Sequence, residues 1–296
     1  LKSRILRHGE LAFTAMEQGH GTSALLLHGF PDHARTFRLQ LPALAEAGFH
    51  AIAPMMRGYE PSSQPAKADY RLSSLATDII AFIDGLGTGK VHLIGHDWGA
   101  VVSYLVAAMA PEKLHSLTTM AIPHPGRFVR ESWRRRPGQL LNSWYMFFFQ
   151  LRGLADYVLE RRDWAFLEWL WRRWSPGWEL PQHELEAIKV TFGQPGVKTA
   201  ALSYYRAMLS PSKLEDTRST LKHFKAKIRV PTLALTGARD GCMDTRLHDD
   251  LMVATDFPAG LTVARIEGAG HFLHQESAHE VNRFLLKHLQ APRISC

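Results

Sequence analysis

The order of apolar runs predicts an α/β protein: a mostly parallel sheet flanked by helices, carrying one helical insertion. Three observations support this. Up to about Pro123, short aliphatic runs alternate with segments whose apolar residues recur at helical spacing. Between 124 and 229 the strand pattern disappears, and seven of the eight tryptophans fall there. From Val230 the strand pattern returns and ends in a helix. Residues 1–123 and 230–296 therefore read as one α/β core, and 124–229 as a helical cap laid over the carboxyl ends of the strands, where ligands bind in such sheets.

The elements follow in order. Leu11-Ala12-Phe13-Thr14 and Ala24-Leu25-Leu26-Leu27 read as strands, and Thr36 to Leu44 opens a helix. His50 to Pro54 is the next strand, and Leu72 to Ile83 carries apolar residues at helical spacing. Val91-His92-Leu93-Ile94 is a short buried strand, Ala100 to Ala108 a buried helix, and Leu117 to Ile122 another strand. The insertion is helical and aromatic, broken at Pro137-Gly138, Pro176-Gly177, Pro195-Gly196 and Pro211. Val230 to Gly237 and Leu261 to Ile266 resume the sheet, and Ala278 to Leu289 is the closing helix.

Composition excludes several classes. The 296 residues are 46% hydrophobic and 21% charged, as in an ordinary globular protein. A net charge of +7 raises the question of nucleic acid, but the basic residues come in short groups. Arg134-Arg135-Arg136, Arg161-Arg162 and Arg172-Arg173 are interleaved with tryptophan and read as solvated surface, with a docking patch for a polyanion or membrane as the lesser alternative, so no nucleic-acid partner is expected. No apolar run approaches the roughly 20 residues of a membrane span. Two cysteines, Cys242 and Cys296, make no disulfide framework, and no apolar leader is visible. These features predict a cytoplasmic location.

The chemistry concentrates at one corner. In Gly95-His96-Asp97-Trp98-Gly99, an aspartate stands between a strand and a helix, where small residues two positions away on either side allow close packing. The corner lifts the Asp97 side chain above the sheet at a helix N-terminus, which favours an anion. A carboxylate there is ionised at neutral pH and can attack carbon directly, forming an ester. His28-Gly29-Phe30-Pro31 follows an earlier strand, and the backbone N–H groups of Phe30 and Trp98 are the expected oxyanion donors. Asp240 ends a later strand and His271 follows the last one, with Asp244 as a rival acid. The chain order nucleophile, acid, histidine is that of α/β-hydrolases, with Asp97 as nucleophile, Asp240 orienting His271, and His271 activating water. His274 and His279 read as residues of helix faces. His28, His96 and His271 are each explained by these motifs, so no metal and no organic cofactor is expected.

With these stretches, and with Arg57-Gly58-Tyr59, most of the chain resembles an α/β-hydrolase-fold epoxide hydrolase of the soluble type. The resemblance implies two cap tyrosines that donate to the epoxide oxygen. One lies in Tyr145-Met146-Phe147-Phe148-Phe149-Gln150, and the other in Tyr205-Arg206, with the neighbouring Tyr204 as rival about 100° round the helix. Such donors make chemical sense, because an alkoxide leaves poorly unless protonated and a phenol of pKa about 10 keeps its proton at neutral pH. One loop departs from the family: Met55-Met56-Arg57-Gly58-Tyr59-Glu60 stands where Asp-x-Arg-Gly-Tyr-Gly is usual, which implies altered local hydrogen bonding.

The expected reaction converts an apolar epoxide, bound against Phe30, Trp98, Tyr145 and Tyr205, into a vicinal diol through a hydroxyalkyl ester on Asp97. The alternative is a haloalkane dehalogenase using the same Asp97. That reaction needs N–H donors around halide; Trp98 offers one, but Phe30 offers none where the resemblance suggests asparagine. A ligand-binding protein on an inactive fold is the remote third reading. Which epoxide, which carbon and which oligomeric state are not legible.

Overall fold

The computed structural model describes residues 1–208 and 214–291. Pro211 and Cys296, both singled out above, lie outside the described residues. Eight strands form one sheet: β1 (Lys2–His8), β2 (Leu11–Gln18), β3 (Thr22–Leu27), β4 (Phe49–Pro54), β5 (Val91–His96), β6 (Leu114–Met120), β7 (Thr232–Gly237) and β8 (Leu261–Ile266). Their order is β1-β2-β4-β3-β5-β6-β7-β8. β1 and β2 pair antiparallel, as do β2 and β4, and the other neighbours are parallel.

The helices are α1 (Gln40–Glu46), α2 (Leu72–Leu86), α3 (Trp98–Met109), α4 (Pro125–Arg135), α5 (Gln139–Asn142), α6 (Trp144–Phe148), α7 (Leu154–Trp174), α8 (Gln182–Gly193), α9 (Val197–Met208), α10 (Leu214–Phe224), α11 (Arg246–Leu251), α12 (Leu273–Glu276) and α13 (Ala278–Leu289). All of α4 to α10 lies between β6 and β7, so the strand-free stretch is helical as expected. The helix α7 is broken at Arg161–Trp164, where three residues take positive φ.

The central strands are sealed on both faces, which their continuous apolar runs require. Leu25, Leu27, Leu93 and Leu117 face one core, together with α2 and α3; Leu26, Ile94, Leu233 and Leu235 face the other, with α1 and α13. Sheet and helices thus make the α/β-hydrolase fold, with the carboxyl ends of β3, β5, β7 and the loop after β8 converging under the inserted helices.

Several boundaries differ from the sequence reading. β1 was not legible, because only Leu6 of its residues is buried. The helix expected from Thr36 divides into a 3₁₀ turn at Ala34–Phe37 and α1. β6 begins three residues early, at Leu114. Among the described residues, no helix is long and apolar enough to cross a membrane.

Candidate active site

The Asp97 corner is built by steric necessity. Asp97 has φ 50° and ψ −119°, a conformation costly for any residue with a Cβ. It is imposed by the close passage of β5 and α3: a Cβ on Gly95 would lie 2.3 Å from the Gly99 carbonyl oxygen, and one on Gly99 only 2.0 Å from that of Leu27. Gly29 meets the same limit from the other side, since a Cβ there would sit 2.3 Å from Asp97 Oδ1. The Phe30 N–H therefore approaches unhindered and donates to Asp97 Oδ1 at 2.8 Å. Trp98 opens α3, so its N–H belongs to the helix's first turn, where N–H groups have no intrahelical acceptor. The chain bearing these donors is pinned by His28, whose Nε2 accepts from the Met56 N–H at 3.0 Å while its Nδ1 contacts the Gly29 carbonyl at 3.0 Å.

His271 is fully buried beside this carboxylate. Its Nδ1 meets Asp240 Oδ2 at 2.9 Å, and its Nε2 stands 3.7 Å from Asp97 Oδ2, close enough for charge but too far for a hydrogen bond. Asp240 is itself aimed, because its Oδ1 accepts from the N–H groups of Cys242 and Met243 at 2.7 and 2.9 Å. Asp244 turns instead to Arg246 on the surface. Burial pulls the His271 pKa down, but Asp240 and Asp97 outweigh it and raise it to about 10. For Asp97, burial favours the neutral acid, yet His271 and the Phe30 N–H hold its pKa below the ordinary value.

Tyr145 and Tyr205 line the same cavity as Asp97 and Trp98. The Tyr205 hydroxyl is buried without a hydrogen-bond partner among the described residues, and the Tyr145 hydroxyl lies 3.3 Å from Cys242 Sγ. Burial raises both phenols well above 10, so both keep their protons. Tyr204 points elsewhere and donates to the Arg57 carbonyl at 2.7 Å. In the atypical loop, Arg57 is gripped by Asp78 of α2 through two bonds of 2.7 and 2.6 Å.

The structure adds residues that the sequence reading missed. The Trp174 carbonyl, at the end of α7, accepts from the N–H groups of both Gly241 and His271, tying the acid loop to the histidine loop. Gly241 and Gly270 permit this approach: a Cβ on the first would lie 2.1 Å from the Arg173 carbonyl oxygen, and one on the second 2.6 Å from Ser175 Cα. Gln139 clasps the turn after Asp240, donating to the Cys242 carbonyl at 3.0 Å and accepting from the Asp244 N–H at 2.7 Å. Expected on a helix face, His274 lies fully buried, its ring 4.4 Å from that of His96 and tilted 50° to it, with Nε2 on Thr36 Oγ1. Among the described residues, two groups bring three donor atoms within 4.8 Å of one another, as a metal would require: Asp32, His96 and His274, and Asp240, Cys242 and His271. In the second, the His271–Asp240 hydrogen bond already engages two of the three residues.

A strained corner bearing a nucleophile-type side chain, two backbone loops beside it and an Asp–His pair define a hydrolase of the α/β-hydrolase class. The chain belongs to that family, whose model, described as alpha/beta hydrolase fold, matches residues 25–278. Within the fold it belongs with the epoxide hydrolases. Epoxide hydrolase 4 of Homo sapiens is 32% identical over 267 residues, covering 88% of this chain and 70% of that protein. Epoxide hydrolase 3 of Mus musculus is 32% identical over 285 residues, 95% of this chain and 74% of its own. The crystal structure of the Bacillus megaterium epoxide hydrolase with an inhibitor superposes with a TM-score of 0.83 at 26% identity, covering 97% of this chain and 99% of that one.

Proposed function

We propose that the protein hydrolyses an apolar epoxide to a vicinal diol through an ester on Asp97. The observation that carries this reading is the pair of buried phenols, Tyr145 and Tyr205, lining the cavity that Asp97 also lines. Such donors suit a leaving oxygen that remains attached to the substrate.

In the first step an Asp97 oxygen attacks an epoxide carbon. Phe30 already holds Oδ1 at 2.8 Å, so Oδ2 is the attacking atom. The C–O bond of the ring breaks; Tyr145 and Tyr205 both hydrogen-bond the developing alkoxide, one of them gives it a proton, and that phenolate regains a proton given up by His271, which is left neutral. In the second step His271 takes a proton from water, and the hydroxide adds to the Asp97 carbonyl carbon. The N–H groups of Phe30 and Trp98 hold the oxyanion until the ester bond breaks, the diol leaves and Asp97 is restored. Asp240 fixes the imidazole with Nδ1–H toward itself, leaving Nε2 for the water.

The lining of Val129, Met146 and Phe128 beside the phenols supports an apolar substrate. A single turnover in ¹⁸O-water with unlabelled enzyme tests the mechanism. The first diol should carry oxygen from Asp97 and no label, with label entering Asp97 instead; diol labelled in that first turnover removes the ester. Turnover of a bromoalkane and not of styrene oxide would transfer the reading to a dehalogenase.

A further inference from the structure

We propose that the face of the inserted helices from α4 to α7 docks on an anionic lipid surface, with the mouth of the Asp97 cavity toward the bilayer. Large apolar side chains normally scatter singly over a surface. Here Trp133, Leu140, Leu141, Trp144, Phe147 and Leu151 are all exposed within nineteen residues, Leu141 at 78% and Phe147 at 60%. Ring contacts tie one of them, Trp144, to α7. Trp144 packs on Phe148 at 5.7 Å and on Trp169, itself exposed, at 6.1 Å, and Trp169 stacks on Phe166 at 5.6 Å.

Charge identifies the occupant. From 124 to 180 the chain has ten arginines and no lysine against six carboxylates. Arg134, Arg152, Arg161, Arg162 and Arg173 are exposed and have no ion-pair partner among the described residues. Arg134 stands over the Trp133 ring at 5.6 Å and Arg161 over the Tyr157 ring at 5.5 Å, so cation and exposed aromatic ring are presented together. Aromatic rings at the headgroup level, aliphatic tips below them and arginines among phosphates are the pattern of an interfacial face. A second copy of this chain fits poorly, because a twofold contact would set the unpaired arginines against themselves.

The face also borders the cavity. Val129 is exposed and lines the cavity, and Tyr145 and Met146 line it between the exposed Trp144 and Phe147. An apolar substrate dissolved in lipid would then reach Asp97 without crossing water. That consequence rests on the epoxide reading, while lipid binding itself does not and is measured without substrate.

The test is co-sedimentation with vesicles of phosphatidylcholine alone or mixed with phosphatidylglycerol. The protein should partition to the mixed vesicles about tenfold better than to neutral ones and be released at about 0.5 M salt. The double substitution Leu141→Glu with Phe147→Glu should lower partition at least about tenfold, and Arg134→Glu with Arg152→Glu by a similar factor. Each pair should leave the solution mass and turnover of a water-soluble epoxide unchanged. No binding of the unaltered protein to mixed vesicles overturns the proposal, whatever the variants do. So does partition unaffected by either pair, or a dimer that Leu141→Glu with Phe147→Glu splits into monomers. Loss of epoxide turnover with vesicle binding intact would sink the reaction and leave the docking face standing.

Discussion

In the free enzyme His271 sits between two carboxylates, and its pKa of about 10 makes it an imidazolium at neutral pH. A cation there helps to keep Asp97 ionised but cannot serve as a base. In the proposed reaction, esterification of Asp97 removes one of the two negative charges, so the His271 pKa should fall and the base appear only when an ester awaits hydrolysis. The same shift bears on stability. His271 has a folded pKa above its ordinary value of about 6.5, so its contribution is complete below that value and is lost as pH rises toward about 10. Thermal melting of the unaltered protein should therefore fall between about pH 7 and pH 10 more steeply than that of His271→Gln. Parallel curves for the two proteins would mean that His271 is not held charged in the folded state.

The corner joining β5 to α3 depends on three glycines that no side chain can replace without displacing backbone. Gly99→Ala drives a methyl to 2.0 Å from the Leu27 carbonyl oxygen, so β3 and α3 must separate and carry the Phe30 N–H away from Asp97. A loss of about 3 kcal/mol in denaturant unfolding is expected, with activity lost beyond the unfolded fraction. An unchanged midpoint would show that the corner is not packed as described. This corner was legible because its spacing of small residues follows from sterics within five positions. The neighbouring elements were less so. β1 buries one residue and pairs antiparallel at the sheet's edge, so its pattern resembles a loop. Tyr204 and Tyr205 are equivalent in composition, and only the carbonyl of Arg57, far away in sequence, draws Tyr204 aside. Trp174 contributes a backbone oxygen to the site, and a backbone oxygen has no sequence signature. Its trace is the pair Gly241 and Gly270, two small residues in separate loops that meet the same helix end.

At the scale of the molecule the proposed reaction draws its two halves from two parts of the chain. In the proposed reaction the strand ends supply Asp97, which forms the ester as the ring opens, and Asp240 and His271, which hydrolyse it. The inserted helices supply Tyr145 and Tyr205, whose proposed role is confined to the departing oxygen. Gln139 and the Trp174 carbonyl bind the inserted helices to the two loops that carry Asp240 and His271, so that the parts keep register. The halves should then fail separately. His271→Gln should open one epoxide per protein and stop, leaving a chain heavier by one substrate in intact-mass spectra. Tyr145→Phe and Tyr205→Phe should each slow that opening, by about 10² to 10⁴ together, while hydrolysing an ester already formed at the unaltered rate. Stopped-flow quenching of Trp98, which lines the cavity, would separate the steps. If the tyrosine variants slow ester hydrolysis as much as ring opening, the phenols act on both steps, and the division of labour between strand ends and inserted helices does not hold.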